Sequence, residues 1–122
     1  LDGNATAFNT SSDYRLKTDL KDIVDATGTI NKLKLYDFAW KKNTSKRLTG
    51  IIAHEAAEIV PYAIRGEKDA MAVDDDGESV IDAQGADYSK FVPLLLKSIQ
   101  ELSASNDALK ARIEILEAAW QF

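Results

Sequence analysis

A heptad pattern in the last third of the chain constrains its fold more than any other feature. The pattern has spacings of 4, 3, 4, 3, 4, 3 and 4 residues, at Leu95, Ile99, Leu102, Asn106, Leu109, Ile113, Leu116 and Trp120. Leucine fills every d position, and one a position is an asparagine. A stripe this narrow, over about 39 Å of helix, favours a seam between copies of the chain. The alternative is an amphipathic helix that covers the chain's own domain.

The pattern leaves the number of chains in this seam open. Isoleucine at a, leucine at d and a single a-position asparagine favour a parallel dimer by the rules of model peptides. Trp120 is too bulky for a dimer seam of that kind.

Composition and charge exclude several classes of function. The chain has 122 residues, enough for one domain, and 45% of them are hydrophobic, so wholesale disorder is not expected. A net charge of −5 argues against a nucleic-acid binder and against a polybasic membrane-surface protein. No window reaches about 18 apolar residues and no signal peptide opens the chain, while Leu1 suggests a fragment of something longer. Without cysteine, disulfide and thiolate chemistry are excluded.

The first half of the chain predicts a small α+β core. Residues 1–10 resemble a loop or strand end that belongs to a preceding domain. Residues 12–26 predict a short amphipathic helix, stopped at Thr27-Gly28. A strand is expected over 30–42, a turn over 42–47, a return strand over 48–53 and a helix over 54–60 that ends at Pro61.

Residues 65–87 are acidic and rich in turn formers. Asp76-Gly77 lies between two short apolar runs, which predicts a hairpin. We expect this stretch to protrude as an arm with little core of its own.

Two short motifs suggest metal sites but lack the ligands. The segment HEAAE at 54–58 is similar to a zinc-protease helix, but it has Glu58 where the second histidine should be, and His54 is the only histidine. The segment DDDG at 74–77, aligned as a calcium loop, puts Ala72 and Ala83 where oxygen ligands are needed. We therefore predict no metal site, with His54 and Glu55 as capping or hydrogen-bonding residues.

The stretch NTSSDYRLKTDL at 9–20 contains a serine and a lysine five residues apart. Ser12 and Lys17 suit a nucleophile and a general base. A lysine base has to be neutral, which requires burial or a neighbouring cation, and Arg15 is the nearest one. Asp13 and Asp19 would act in the opposite direction. From these residues alone, a helix-capping serine and a solvated lysine are the favoured explanation.

The order of several segments resembles one protein family. SSDYRLKTDL, YDFAW, GIIAHEAAEIVPYAI, DYSKFVPLLLKSIQEL and the closing heptads resemble the C-terminal intramolecular chaperone domain of bacteriophage tail spikes and tail fibres, of the endosialidase type. The resemblance covers about residues 11–122. It implies that 1–11 end an upstream fibre region and that 12–122 form the chaperone, with a core at 12–64, the arm at 65–87 and the coiled-coil helix at 88–122.

The resemblance also implies a mechanism and partners. Three copies would associate as a homotrimer, align three upstream chains in register and then cut themselves off, without a cofactor or a metal. Ser12 would be the nucleophile, Lys17 its base and Ser11–Ser12 the bond that is cut. Auxiliary candidates are His54, Glu55, Arg15 and Asp13. The cleavage would occur in the host cytoplasm during virion assembly.

Two other functions stay open from the sequence. One is a trimerisation tip that does not cleave and remains on the fibre. The other is the self-releasing domain of a membrane-anchored transcription factor, whose DNA-binding and membrane segments would lie upstream.

Overall fold

The structure, a computed structural model, describes residues 11–120. The expectation that residues 1–10 end a preceding domain therefore lies outside the described residues. Between 11 and 120 the protein is α+β, as predicted, and its strands form three separate two-stranded sheets. The helices are α1 (Ala26–Asn31), α2 (Ala53–Ala57) and α3 (Val92–Ala119), with 3-10 turns at Tyr14–Leu16, Pro61–Ala63 and Tyr88–Phe91; the strands are β1 (Tyr36–Trp40), β2 (Asn43–Gly50), β3 (Ile64–Arg65), β4 (Met71–Val73), β5 (Ser79–Ile81) and β6 (Gly85–Ala86).

A small apolar cluster holds the elements together. Its buried members are Ala26, Val60, Ala63, Phe91 and Leu94. Ala26 lies in α1, Val60 and Ala63 lie at the 3-10 turn Pro61–Ala63, and Phe91 and Leu94 lie where the turn Tyr88–Phe91 leads into α3, so this cluster fixes the middle of the chain to the base of the long helix. The predicted helix before Pro61 is confirmed as α2, although it is shorter than expected.

Helix α3 confirms the long helix that the heptads predict, and most of it leaves the core. Leu94 and Ser98 are its buried residues, and from Leu102 onward every described side chain is exposed. The exposed part extends for about 27 Å at 1.5 Å per residue. None of the helices between residues 11 and 120 is both long and apolar enough to cross a membrane.

The predicted helix over residues 12–26 is wrong. The structure has the 3-10 turn Tyr14–Leu16, then irregular backbone, and α1 begins only at Ala26. Asp19 and Asp25 have left-handed backbone angles, with φ of 54° and 53°, which a helix cannot accommodate. The predicted stop at Thr27-Gly28 lies inside α1, because Asp25 caps this helix by accepting a 3.0 Å hydrogen bond from the Gly28 N–H.

The hairpin of β1 and β2 is present, but its turn is misplaced in the prediction. Trp40 pairs with Asn43, so the turn has two residues rather than the six expected at 42–47. The polar segment at 43–47 is strand because a two-stranded sheet leaves such side chains in solvent. Its Arg47 donates a 2.7 Å hydrogen bond to Asp37 on the opposite strand.

A second hairpin occupies the acidic segment, at the predicted position. Met71 pairs with Ile81 and Val73 with Ser79. The Asp74 carboxylate accepts 2.9 Å and 2.8 Å hydrogen bonds from the N–H groups of Asp76 and Glu78, and Gly77 has a φ of 82°. That this hairpin acts as a protruding arm stays a prediction.

Two neighbouring leucines on α3 test which of its faces supports the fold. Leu94 is 7% exposed and Leu96 is 58% exposed, off the heptad stripe. We expect Leu94→Ala to lower the free energy of unfolding by about 2–5 kcal/mol, because it opens a cavity in the core. Leu96→Ala should change it by about 0.5 kcal/mol or less. Denaturant titration of both variants at one protein concentration measures the difference, and equal losses would contradict this core.

Candidate active site

The 3-10 turn Tyr14–Leu16 brings the predicted serine and lysine into contact. The N–H of Leu16 donates to the Asp13 carbonyl at 3.1 Å, and that of Lys17 to the Tyr14 carbonyl at 3.2 Å. These bonds turn the chain so that side chains five residues apart face each other. Lys17 Nζ donates a 2.6 Å hydrogen bond to Ser12 Oγ.

Asp13 holds this turn through its carboxylate. Oδ1 accepts from the Arg15 backbone N–H at 2.9 Å and from Arg15 Nε at 3.0 Å, while Oδ2 accepts from the guanidinium at 2.7 Å. This two-pronged pairing is the geometry that guanidinium and carboxylate groups favour. Hydrogen bonds from the Arg15 side chain and backbone lower the pKa of Asp13, and the same carboxylate raises the pKa of Arg15.

The Asp13–Arg15 pair changes the role that the sequence suggests for Arg15. Its positive charge is matched by Asp13, so it is not a free cation beside Lys17. The side chains of Ser12 and Lys17 are themselves exposed in the single chain. The chain alone therefore builds the contact between the two groups but does not remove water from around it.

The Ser12–Lys17 contact allows two arrangements of the proton between the amine and the hydroxyl. A charged lysine donates to a serine hydroxyl, whereas a neutral amine at the same distance accepts the hydroxyl proton. The second arrangement is the one a general base needs, and 2.6 Å is within proton-transfer reach.

Two of the auxiliary candidates belong to another contact. Glu55 on α2 accepts a 2.9 Å hydrogen bond from the Tyr36 hydroxyl on β1, and this bond raises the pKa of Tyr36. Within residues 11–120, no hydrogen bond joins His54 or Glu55 to Ser12 or Lys17. A catalytic role for either one stays a prediction.

A carboxylate from α3 that no sequence motif singles out holds the start of α1. Glu101 accepts hydrogen bonds from the N–H groups of Ala26 at 2.9 Å and Thr27 at 2.8 Å, and from the Thr27 hydroxyl at 2.7 Å. The Thr27 hydroxyl also lies 2.9 Å from that of Ser98 on α3. These contacts span more than 70 residues of sequence, so no local pattern reveals them.

Residues 18–24, here called the strap, connect the Ser12–Lys17 contact to the start of α1. The hydrogen bonds that Glu101 accepts there are called the anchor. In the described part of the chain, no hydrogen bond joins the strap to another element. Its apolar side chains are exposed, with Leu20 at 77% and Val24 at 83%. The strap therefore depends on its two ends for its position.

The heptad side chains form an apolar surface along α3, as the sequence predicts. Where the structure gives values, these side chains are 49% to 86% exposed, at Leu95, Ile99, Leu102, Leu109, Ile113, Leu116 and Trp120. No group of three or more His, Asp or Glu side chains among residues 11–120 could hold a metal ion.

One family model matches the sequence. Residues 12–65 match the model described as chaperone of endosialidase, a family also named as peptidase S74. The matched segment begins at Ser12 and runs through Lys17, both hairpin strands and α2. This match confirms the family resemblance found in the sequence. No curated protein matches the chain.

Titration of Glu101 tests the anchor at the start of α1. Hydrogen bonds from the Thr27 hydroxyl, then from the N–H groups of Thr27 and Ala26, lower the pKa of Glu101 from its ordinary 4.5. A lowered pKa means that the contact stabilises the fold fully above that ordinary value and is lost as the pH falls through the lowered one. NMR titration should show this, and Thr27→Val should move the pKa back up.

Thr29→Val is the matched control for that titration. Thr29 lies on the same helix and donates to the Asp25 carbonyl instead of to Glu101. It should leave the pKa of Glu101 unchanged. A Glu101 carboxyl that titrates at its ordinary value in the unaltered protein would contradict the anchor.

Proposed function

We propose that this chain trimerises and registers a phage tail fibre or tail spike and then releases itself by cutting the Ser11–Ser12 bond, because residues 12–65 match the chaperone-of-endosialidase family model. The observation that carries the proposal is the 2.6 Å contact between Lys17 Nζ and Ser12 Oγ, inside the matched segment. The domain boundary then lies at the cut, with residues 12–122 as the released chaperone.

The proposed cut uses the hydroxyl of the residue that follows the scissile bond. Ser12 Oγ attacks the carbonyl carbon of Ser11 while its proton passes to a neutral Lys17. The C–N bond breaks as Lys17 passes that proton to the Ser12 nitrogen, which leaves an ester between the Ser11 carbonyl and the Ser12 oxygen. Water then hydrolyses the ester and frees the Ser11 carboxylate and the Ser12 amine and hydroxyl.

This arrangement needs no separate binding of substrate. Nucleophile and carbonyl belong to adjacent residues, and such proximity contributes about 7–11 kcal/mol when the geometry is close to that of attack. A donor to the developing oxyanion is also required, and His54 or a backbone N–H is the candidate.

The exposed apolar surface of α3 supports the assembly of several copies of the chain. A helix that leaves its own core with half-exposed apolar side chains at every turn is stable in water only when other helices cover them. A second apolar surface, a groove of about 810 Å³ beside the β1–β2 hairpin, contains Phe38, Trp40 and Ile52. We propose a parallel trimeric coiled coil, which accommodates Trp120 more easily than a dimer does.

Trimerisation supplies what the single chain lacks at the Ser12–Lys17 contact. Both side chains are exposed in one chain, and a lysine base becomes neutral at ordinary pH when it loses its water. Neighbouring copies that close over the contact would therefore switch it on. Cleavage would then occur only after correct assembly.

A chaperone that is needed only during assembly can be removed afterwards. Three long chains lose entropy before their distant contacts form, and a local helical seam sets their register at the start. The acidic arm at 65–87 would reach back along the upstream trimer. Cutting in the host cytoplasm, before the mature virion forms, removes the aid and makes the fibre's stability kinetic.

Removal of either member of the contact tests the cleavage. In the chain expressed with its upstream residues, Ser12→Ala and Lys17→Ala should each abolish release of a fragment of about 12 kDa that begins at Ser12. Lys21→Ala, another exposed lysine nearby, should cleave normally. Mass spectrometry reads the fragment. Normal cleavage in Lys17→Ala would refute the dyad, and an uncut but trimeric unaltered chain would indicate a tip that stays on the fibre.

Charges placed in the seam test the coupling of cleavage to assembly. Leu102→Glu with Leu109→Glu should give monomers by analytical ultracentrifugation, and cleavage should be slowed at least about ten-fold although Ser12 and Lys17 are intact. Ile115→Glu is the control, since Ile115 is 68% exposed and lies off the seam. Monomers that cleave at the normal rate would refute the coupling.

A further inference from the structure

We propose that Glu101 is a positioning residue for the cut: it fixes the strap, and through the strap the Ser12–Lys17 contact, to the base of the seam helix. The proposal rests on the proposed self-cleavage and adds a residue that acts on it from α3. It stands on three hydrogen bonds that one carboxylate accepts, at 2.9, 2.8 and 2.7 Å.

The first step is that Glu101 holds the end of the strap. Ala26 and Thr27 follow Asp25 directly, and the first N–H groups of a helix have no partner within it. Glu101 supplies that partner from another element. Ala26 is fully buried beside it, so the point where the strap meets the core has both an apolar and a polar fastening.

The second step is that the strap has no other fastening in the described chain. Between Lys17 and Asp25, no hydrogen bond within residues 11–120 reaches another element, and the ion pair of Lys21 with Asp19 is local. The turn around Ser12 is held by its own Asp13 and Arg15. In the described chain, the hydrogen-bonded link between the Ser12–Lys17 turn and the core therefore runs through the Ala26 end of the strap.

The third step is that the anchor belongs to the seam helix. Leu102, a d position of the heptads, is the next residue after Glu101, and Ser98, which contacts Thr27, lies one turn earlier on the same face of α3. A neighbouring copy that packs on the seam is thus set in a fixed relation to the strap. Because a misplacement of about 1 Å can cost about 100-fold in rate, a loose anchor should slow the cut even in an intact trimer.

Glu101→Gln is the sharpest substitution for this test. A carboxylate accepts two N–H bonds at once, whereas an amide has one acceptor and turns its own N–H₂ toward the second donor. We expect the trimer fraction and the helix content to stay unchanged while cleavage slows by about ten-fold or more. Glu114→Gln, on the exposed part of the same helix, should cleave normally.

A reversible tether separates positioning from general damage. The chain has no cysteine, and the hydroxyls of Thr27 and Ser98 lie 2.9 Å apart, so Thr27→Cys with Ser98→Cys offers a single disulfide in place of the anchor. In the Glu101→Gln background, the oxidised protein should regain most of the cleavage rate and lose it again on reduction. Mass spectrometry follows the rate, and ultracentrifugation follows the trimer.

The outcomes distinguish this inference from the function on which it rests. If the unaltered chain cleaves through Ser12 and Lys17 but Glu101→Gln cleaves equally fast, the positioning role is refuted and the self-cleavage stands. Loss of trimer in proportion to loss of rate would refute it too, since Glu101 would then act on the seam. If cleavage persists in Ser12→Ala, the proposed function fails, and this role fails with it.

Discussion

The apolar stripe that α3 carries away from its own core is the constraint on which the rest of the structure depends. Leu94 and Ser98 anchor the base of the helix, while the stripe from Leu102 onward meets only solvent in the single chain. A stripe of this kind is stable when other copies cover it. The small intrachain cluster around Val60 holds α1 and the segment around Pro61 against the base of this helix.

Contacts between residues close in sequence and contacts between residues distant in sequence have different roles at the candidate site. The turn that joins Ser12 to Lys17 is built from neighbours, since Asp13 and Arg15 lie within two residues of each other. We propose that the position of this turn on the molecule depends on Glu101, which accepts a hydrogen bond from the start of α1, 75 residues away in sequence. Under the proposed function, a chain could form the Ser12–Lys17 contact early and still lack a dry environment for it until the helices assemble.

The sequence allowed long-period features to be predicted well and short irregular ones poorly. The heptads predicted α3, and the family resemblance paired Ser12 with Lys17, whose side chains lie within hydrogen-bonding distance. The false helix over 12–26 had the right apolar period, but two aspartates with positive φ break it, and aspartate adopts that conformation without a distinctive pattern. Glu101 could not be foreseen, because its partners Ala26 and Thr27 are near it only after folding.

Exposure of the Ser12–Lys17 contact is consistent with a catalyst that acts once. An enzyme that turns over many substrate molecules needs a site in the free protein that can exclude water each time it closes on a substrate. A chain whose substrate is its own backbone gains from the opposite arrangement, because a dry site in the monomer would cut before the upstream chains are aligned. In the proposed mechanism, one chain already brings Lys17 Nζ and Ser12 Oγ to 2.6 Å, and neighbouring copies would remove the water around them.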